Sequence, residues 1–293
     1  MKKIITLSLI LLCKTSVFAQ CWQSITCKGD FNIAQKTDGT VWAWGDNHVN
    51  SLGDGTNVNK NAPVQISTAT NWQMISAGDV FTMALKTNGS LWGWGSNLFG
   101  ELGNGTMTAA TSPAQIGTST NWQSISSGSS YTLAIKTNGT LWGWGSNSSG
   151  AICYPTYISV DTPFQIGTDT HWQMVSCGEV HSLAIKTDGT LWAWGQNIVG
   201  ELGIGSNTDT NIPVQVGSAT NWKSISAGST HSLAIKTDGT LWAWGDNSYG
   251  KLGDGTMTNR NAPVQVGTGN NWKMAIASED FSLPRVNHLF LMP

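Results

Sequence analysis

The sequence predicts an all-β fold: a β-propeller of four-stranded antiparallel blades, with five full 50-residue repeats plus a partial sixth. Three observations carry that reading. A decamer of the form Lys236-Thr-Asp-Gly-Thr-Leu-Trp-Ala-Trp-Gly245 recurs from Lys36, Lys86, Lys136 and Lys186, with no insertion or deletion between copies. In each copy an Asp-Gly or Asn-Gly pair separates two alternating apolar runs, which is the pattern of a β-hairpin. A proline recurs at Pro63, Pro113, Pro163, Pro213 and Pro263; having no N–H to donate to a ladder, it belongs at the start of an edge strand.

From the N-terminus, residues 1–19 read as a cleaved secretory signal. Lys2 and Lys3 precede the apolar stretch Ile4 to Leu12, and Val17-Phe18-Ala19 leads to a cut between Ala19 and Gln20. The apolar run is too short to span a bilayer, so no membrane insertion is expected and the chain is assigned to secretion or the cell surface. Cys21 follows Gln20 rather than the small residue that lipid attachment uses. Cleavage removes three lysines and no carboxylate, so the formal net charge of −2 becomes −5. An acidic chain without a Lys/Arg cluster lacks the footprint for phosphate backbones, and nucleic acid is excluded as a partner. The four cysteines left, Cys21, Cys27, Cys153 and Cys177, are too few and irregular for a disulfide framework or a zinc site.

Within residues 20–283 each unit opens on a short strand such as Trp222-Lys-Ser-Ile-Ser-Ala-Gly228. The hairpin supplies the second and third strands, with a type I′ turn expected because both central residues of that turn take positive φ. A loop such as Asn247-Ser-Tyr-Gly-Lys-Leu-Gly-Asp-Gly255 and a polar stretch lead to the last strand, Pro263-Val-Gln-Val266. All 16 tryptophans fall on this scheme, three in each full unit plus Trp272. In Trp242-Ala-Trp244 both indoles share a face and a small residue sits between them, so each blade should carry a ridge on one face and a slot on the other.

The repeat resembles that of the regulator of chromosome condensation family. Its pattern is found here as Ala227-Gly228, His231, Leu233 to Ile235, Asp238-Gly239, Trp244-Gly245, Asn247, Gly250-Lys-Leu-Gly253 and Pro263, and the match runs from residue 22 to about 283. The resemblance implies a ring-shaped propeller, usually of seven blades. The sequence departs from it in three places. The sixth unit leaves the pattern after Leu283, where Pro284 is expected to end the strand, and residues 284–293 form a non-repeat tail. Repeat 3 has Gly150-Ala-Ile-Cys-Tyr-Pro155 in place of Gly-x-Leu-Gly, which predicts a different loop geometry. The family's histidine position holds Phe31, Phe81, Tyr131, His181, His231 and Phe281, a mixture that suits a packing slot for a flat ring.

Positions that vary between repeats are where function can sit. The sharpest variation follows Trp-Gly, at His48-Val49, Leu98-Phe99, Ser148-Ser149, Ile198-Val199 and Ser248-Tyr249. A propeller brings these loops to one rim, making His48, Val49, Leu98, Phe99, Ile198, Val199 and Tyr249 the candidate partner-binding residues. No catalytic constellation, cofactor loop or metal spacing emerges. Gly245 to Lys251 mimics a phosphate-binding loop, but Leu252 stands where Ser or Thr would hold magnesium. The expected function is a secreted, non-catalytic protein–protein interaction scaffold without cofactor, for an unknown protein partner; the family's secreted bacterial members act as interaction modules. The alternatives are guanine-nucleotide exchange and chromatin binding, as in the family's eukaryotic namesake, or a truncated fragment of a larger surface protein. Light sensing through tryptophans, known in a plant branch, is disfavoured because every tryptophan has a core role. An unclosed arc would also expose two apolar blade faces for self-association.

Overall fold

A computed structural model describes residues 22–156, 158–278 and 282–285; the expected signal and Phe281 lie outside them. Blade 1 is β1 (Trp22–Lys28), β2 (Phe31–Lys36), β3 (Val41–Gly45) and β4 (Lys60–Ser67). Blade 2 is β5 (Trp72–Ala77), β6 (Phe81–Lys86), β7 (Leu91–Gly95) and β8 (Ala110–Ile116). Blade 3 is β9 (Trp122–Ser127), β10 (Tyr131–Lys136), β11 (Leu141–Gly145) and β12 (Val160–Gln165). Blade 4 is β13 (Trp172–Cys177), β14 (His181–Lys186), β15 (Leu191–Gly195) and β16 (Thr210–Gln215). Blade 5 is β17 (Trp222–Ala227), β18 (His231–Lys236), β19 (Leu241–Gly245) and β20 (Arg260–Gln265), and a hairpin of β21 (Met274–Ala277) and β22 (Ser282–Arg285) follows. Every blade is antiparallel with its strands in chain order, and the first strands of successive blades lie side by side along the inner edge. The prolines sit on the outermost strands, as their missing N–H requires.

The hairpin turns differ from the expected type. Gly39 N donates to Lys36 O at 2.9 Å and Lys36 N to Thr40 O at 2.9 Å. Gly39 has φ 81°, while Asp38 keeps a negative φ. This is a type I turn closed by a left-handed glycine, a three-residue loop rather than a two-residue type I′ turn. The side chains explain the choice: Asp38 Oδ1 accepts from both Thr40 N and Thr40 Oγ1, and Thr40 Oγ1 accepts from Trp42 Nε1 at 2.9 Å. A Cβ on Gly39 would stand 2.1 Å from Thr70 O.

Ridge and slot occur as the tryptophan spacing predicts. In each inner interface the tryptophans of one blade enter the slot of the blade before it: Trp222 and Trp244 pack with Leu183, Ile185, Leu191 and Ala193. Within a blade, Trp222 meets Trp242 and Trp244 at centroid distances of 6.0 and 6.3 Å, inside the range of favourable aromatic pairs. A second, polar set of contacts joins neighbours. Ser76 Oγ accepts from Ser127 N at 2.8 Å, Ser126 Oγ from Cys177 N at 2.9 Å, and Ser176 Oγ from Ala227 N at 3.0 Å.

Two further expectations are corrected. In repeat 3 the loop keeps its shape: Cys153 adopts φ 57° where the other repeats have glycine, Cys153 N still donates to Gly150 O, and Ile152 N still donates to Asn147 Oδ1. The buried asparagine and the neighbouring tryptophan, whose Nε1 donates to Ala151 O at 2.7 Å, hold it there. Pro284 does not end its strand. β22 runs through it to Arg285, with Pro284 opposite Ala275; β21 is the one partner of β22 among the described strands, and an edge tolerates a residue without an N–H. The rest of the tail, 286–293, lies outside the described residues.

Candidate protein-binding rim

Each third strand ends in a glycine with positive φ, such as Gly95 at 100°. The chain then turns into a loop organised by one fully buried asparagine. Asn97 Nδ2 donates to Thr106 O and Thr108 O at 2.8 and 3.1 Å, and its Oδ1 accepts from Leu102 N at 2.9 Å. One side chain thus satisfies both ends of a loop that would otherwise bury open backbone groups. Leu102 is fully buried, and Gly103, φ 72°, lies so close to the next blade that a Cβ would stand 2.7 Å from Trp144 Nε1. That indole donates to Glu101 O at 2.9 Å. The loop bases are therefore fixed, and the tip dipeptides are what they hold up.

The residue after the tip glycine steers the tip. Glu101 takes Phe99 N at 2.7 Å and Ser96 Oγ at 2.8 Å on its two oxygens. Glu201 accepts from Val199 N at 2.9 Å, and burial raises its carboxyl above the usual range. In blade 5 the same position is Lys251, paired with Asp246 at 2.9 Å.

All seven sequence-predicted residues lie on this rim. Leu98 is 71% exposed, Phe99 46%, Ile198 63% and Tyr249 80%. His48 is exposed beside Asp46, and Val49 and Val199 are half-buried. They are strung one blade apart rather than gathered into a cluster. Phe99 is the one of the seven that lines a groove of about 520 Å³, which also touches Tyr131, Ser148, Ile158, Glu179 and Val180. The last three were not singled out from the sequence. Glu179-Val180 and Ile158 do vary between repeats, as do the exposed Val58, Met107 and Met257; an apolar residue in a run of Asn and Thr was the available signal. Glu179 Oε2 accepts from Ser229 Oγ at 2.5 Å. Nearby, Lys28 Nζ reaches Gly178 O at 3.2 Å and Ser127 O at 3.4 Å.

The histidines serve the core. His181 and His231 are fully buried, in the slot that Phe31, Phe81 and Tyr131 fill in the other blades. Their Nε2 atoms meet Ser232 Oγ at 2.8 Å and Ser282 Oγ at 3.1 Å. Burial pushes their imidazoles down to about 3 and about 4, so both are neutral at physiological pH.

Comparison with known proteins agrees with this geometry. The sequence model of the RCC1-like domain matches residues 9–284. No curated protein sequence matches the chain. Among solved structures, human WBSCR16 superposes with a TM-score of 0.82 at 18% identity, over 91% of this chain and 72% of that one. Yeast RCC1 (Prp20), solved with Kap60 bound, gives 0.80 at 21% identity, over 91% of this chain and 66% of that one. The ectodomain of the Arabidopsis thaliana receptor kinase ACR4 gives 0.56 at 14% identity, over 92% and 77%. At these identities the structures share a fold, and together with the family match they place the chain: it belongs to the RCC1-like domain family of β-propellers.

Proposed function

We propose that this protein is an exported, non-catalytic scaffold that binds a protein partner across the rim described above. The observation that carries the reading is the exposure of Leu98, Phe99, Ile198 and Tyr249 on loops whose bases are locked by buried asparagines. Large apolar groups held on rigid supports lose little entropy on binding and are the usual anchors of an interface. The RCC1-like fold supports an interaction role, and the yeast relative was solved with a protein partner, Kap60. A report on yeast Prp20p describes binding to Gsp1p and histones. The exchange and chromatin reading for this chain rests on shared fold, and an acidic sequence without a basic cluster speaks against it.

The test is affinity capture from the producing organism's culture medium and surface fraction, using residues 20–293 and a Phe99→Ser/Tyr249→Ser variant. A protein retained by the first and lost by the second is the expected result. Equal retention by both, or none by either, refutes the rim. N-terminal sequencing of exported material should begin at Gln20; intact Met1 in the cell interior would refute export.

A further inference from the structure

In each of the five blades the second strand ends on a lysine laid over two indoles. Lys136 Nζ stands 4.6 Å from the ring centroid of Trp122 and 3.9 Å from that of Trp142. Lys86 and Lys236 repeat the arrangement in blades 2 and 5. These three ammonium groups have no carboxylate partner among the described residues. Burial holds Lys86 and Lys136 below the usual ammonium range, the effect of giving up water without gaining an anion. Blade 4 differs. Asp169 stands three residues before Trp172, where the other blades have Ala69, Ser119 and Ala219. Its Oδ2 lies 2.7 Å from Lys186 Nζ, and its Oδ1 accepts from His171 N at 2.9 Å. Blade 4 thus carries its own carboxylate at a place that blades 2, 3 and 5 leave open.

In blade 3 the open place is a pocket of about 270 Å³, lined by Ser119, Trp122, Lys136, Trp142 and Pro163 together with Gly117 from the end of blade 2. That is just under the usual size for a whole small-molecule ligand, so it takes one ring of a larger one. Ser119 Oγ makes no hydrogen bond among the described residues. Trp122 is only 4% exposed, and its Nε1 has no acceptor. Trp172 Nε1 lacks one too, although Asp169 already sits beside Lys186 in that blade, so a carboxylate alone does not complete the site. We propose that this pocket and its copies in blades 2 and 5 bind a sugar acid, whose carboxylate pairs with the lysine as Asp169 does and whose ring hydroxyls meet the indole N–H and, in blade 3, Ser119. An aspartate or glutamate side chain supplies the carboxylate but leaves those groups unpaired, and a site with unpaired polar groups rejects the poorer ligand. Lys136 borders the hairpin turn, whereas the rim loops leave from Gly145, at the far end of the same strand pair opposite Tyr131. The pocket is therefore separate from the rim, and the two readings stand or fall independently.

Titration of isotope-labelled residues 20–293 with glucuronate, followed by the indole N–H signals in two-dimensional NMR, tests the proposal blade by blade. Signals of Trp122 and Trp142 should move and saturate, with those of blades 2 and 5, while Trp172 and Trp192 of the filled blade 4 stay in place. Ser119→Asp supplies blade 3 with the internal carboxylate of blade 4 and should silence its response. Asp169→Ala empties blade 4 and should make Trp172 and Trp192 respond. Lys136→Met keeps the stem over the indoles without the charge and should weaken glucuronate binding at blade 3 at least about tenfold. Unchanged signals from the other blades show that each variant is folded. Galacturonate oligomers at equal sugar concentration should bind more tightly than the monomer where the source is a polymer that spans the sites, and equally where it is a free sugar acid; both support the site. Four results would overturn the proposal: no movement with glucuronate, equal movement in blade 4 of the wild type, a response that survives Ser119→Asp, or equal movement with glucose. A glutamate-rich peptide that shifts these signals at lower concentration than glucuronate would also overturn it and give the pocket to an acidic protein.

Discussion

His181 and His231 make the stability of this protein fall as the pH is lowered. Both imidazoles are held neutral by burial, at about 3 and about 4, whereas in the unfolded chain each titrates near 6.5. Between those values the unfolded state binds more protons, so the stabilisation is complete above about pH 6.5 and is lost as the pH falls toward the folded values. At about pH 5 each group sits roughly 1.5 pH units below its unfolded value, which costs about 2 kcal/mol apiece and about 4 kcal/mol together. Other groups titrate too. Asp169 and Asp254 are held at about 2 and change little in this interval. Burial raises Asp79 and Glu201, so their contribution has the opposite sign. A double variant, His181→Phe/His231→Phe, separates the terms. Phenylalanine already fills this slot at Phe31 and Phe81, and Ser232 Oγ keeps its bond to Glu201 O at 2.8 Å. Urea unfolding of both proteins at about pH 7.5 and about pH 5, followed by tryptophan fluorescence, gives the comparison. The wild type should lose about 4 kcal/mol more than the variant over that interval. Parallel losses would refute the claim that the imidazoles are buried and neutral.

Three other outcomes follow from the loops and the interfaces. Asn97→Ala leaves Leu102 N, Thr106 O and Thr108 O without their partner and should lower stability by about 3 kcal/mol, read from the urea midpoint. Gly203→Ala places a Cβ 2.7 Å from Trp244 Nε1 at φ 69°, and should cost more than about 2 kcal/mol, with a shift in fluorescence as the indole moves. Glu201→Gln keeps an acceptor for Val199 N and removes a carboxylate whose charge burial disfavours. Because burial raises that folded carboxyl, the wild type is handicapped above the unfolded carboxyl value and relieved below it; the variant should be the more stable protein at about pH 8 and converge on the wild type only below about pH 4, by thermal melts at both.

Much of the fold could be read from the repeats, because a 50-residue period with tryptophans at fixed places leaves few architectures. The ridge of Trp242 and Trp244 and the slot around Ala193 were legible from side-chain alternation alone. The turn type was not. An Asp-Gly pair fits two hairpin geometries, and the decision lies with Thr40, whose hydroxyl joins Asp38 to Trp42. Repeat 3 misled for a related reason: its Gly-x-Leu-Gly is replaced, yet Asn147 and Trp194 impose the conformation on Cys153 from outside. The rim residues were found by comparing repeats, which is a one-dimensional operation. The groove beside Phe99 was not, since it joins three blades whose contributions are about 30 to 80 residues apart in sequence and meet only through the stacking of whole units.

The direction of the ridge-and-slot contact has a consequence for synthesis. The slot of each blade is finished by its own loop, Gly200 to Gly203 in blade 4, before Trp222 and Trp244 of the next blade exist. A ribosome releases the N-terminal end first, so every emerging ridge finds a completed receptor already waiting. It is the slot that waits, for no longer than the time needed to make the next unit, while the tryptophans of blades 2 to 5 have a cavity to enter as soon as they emerge.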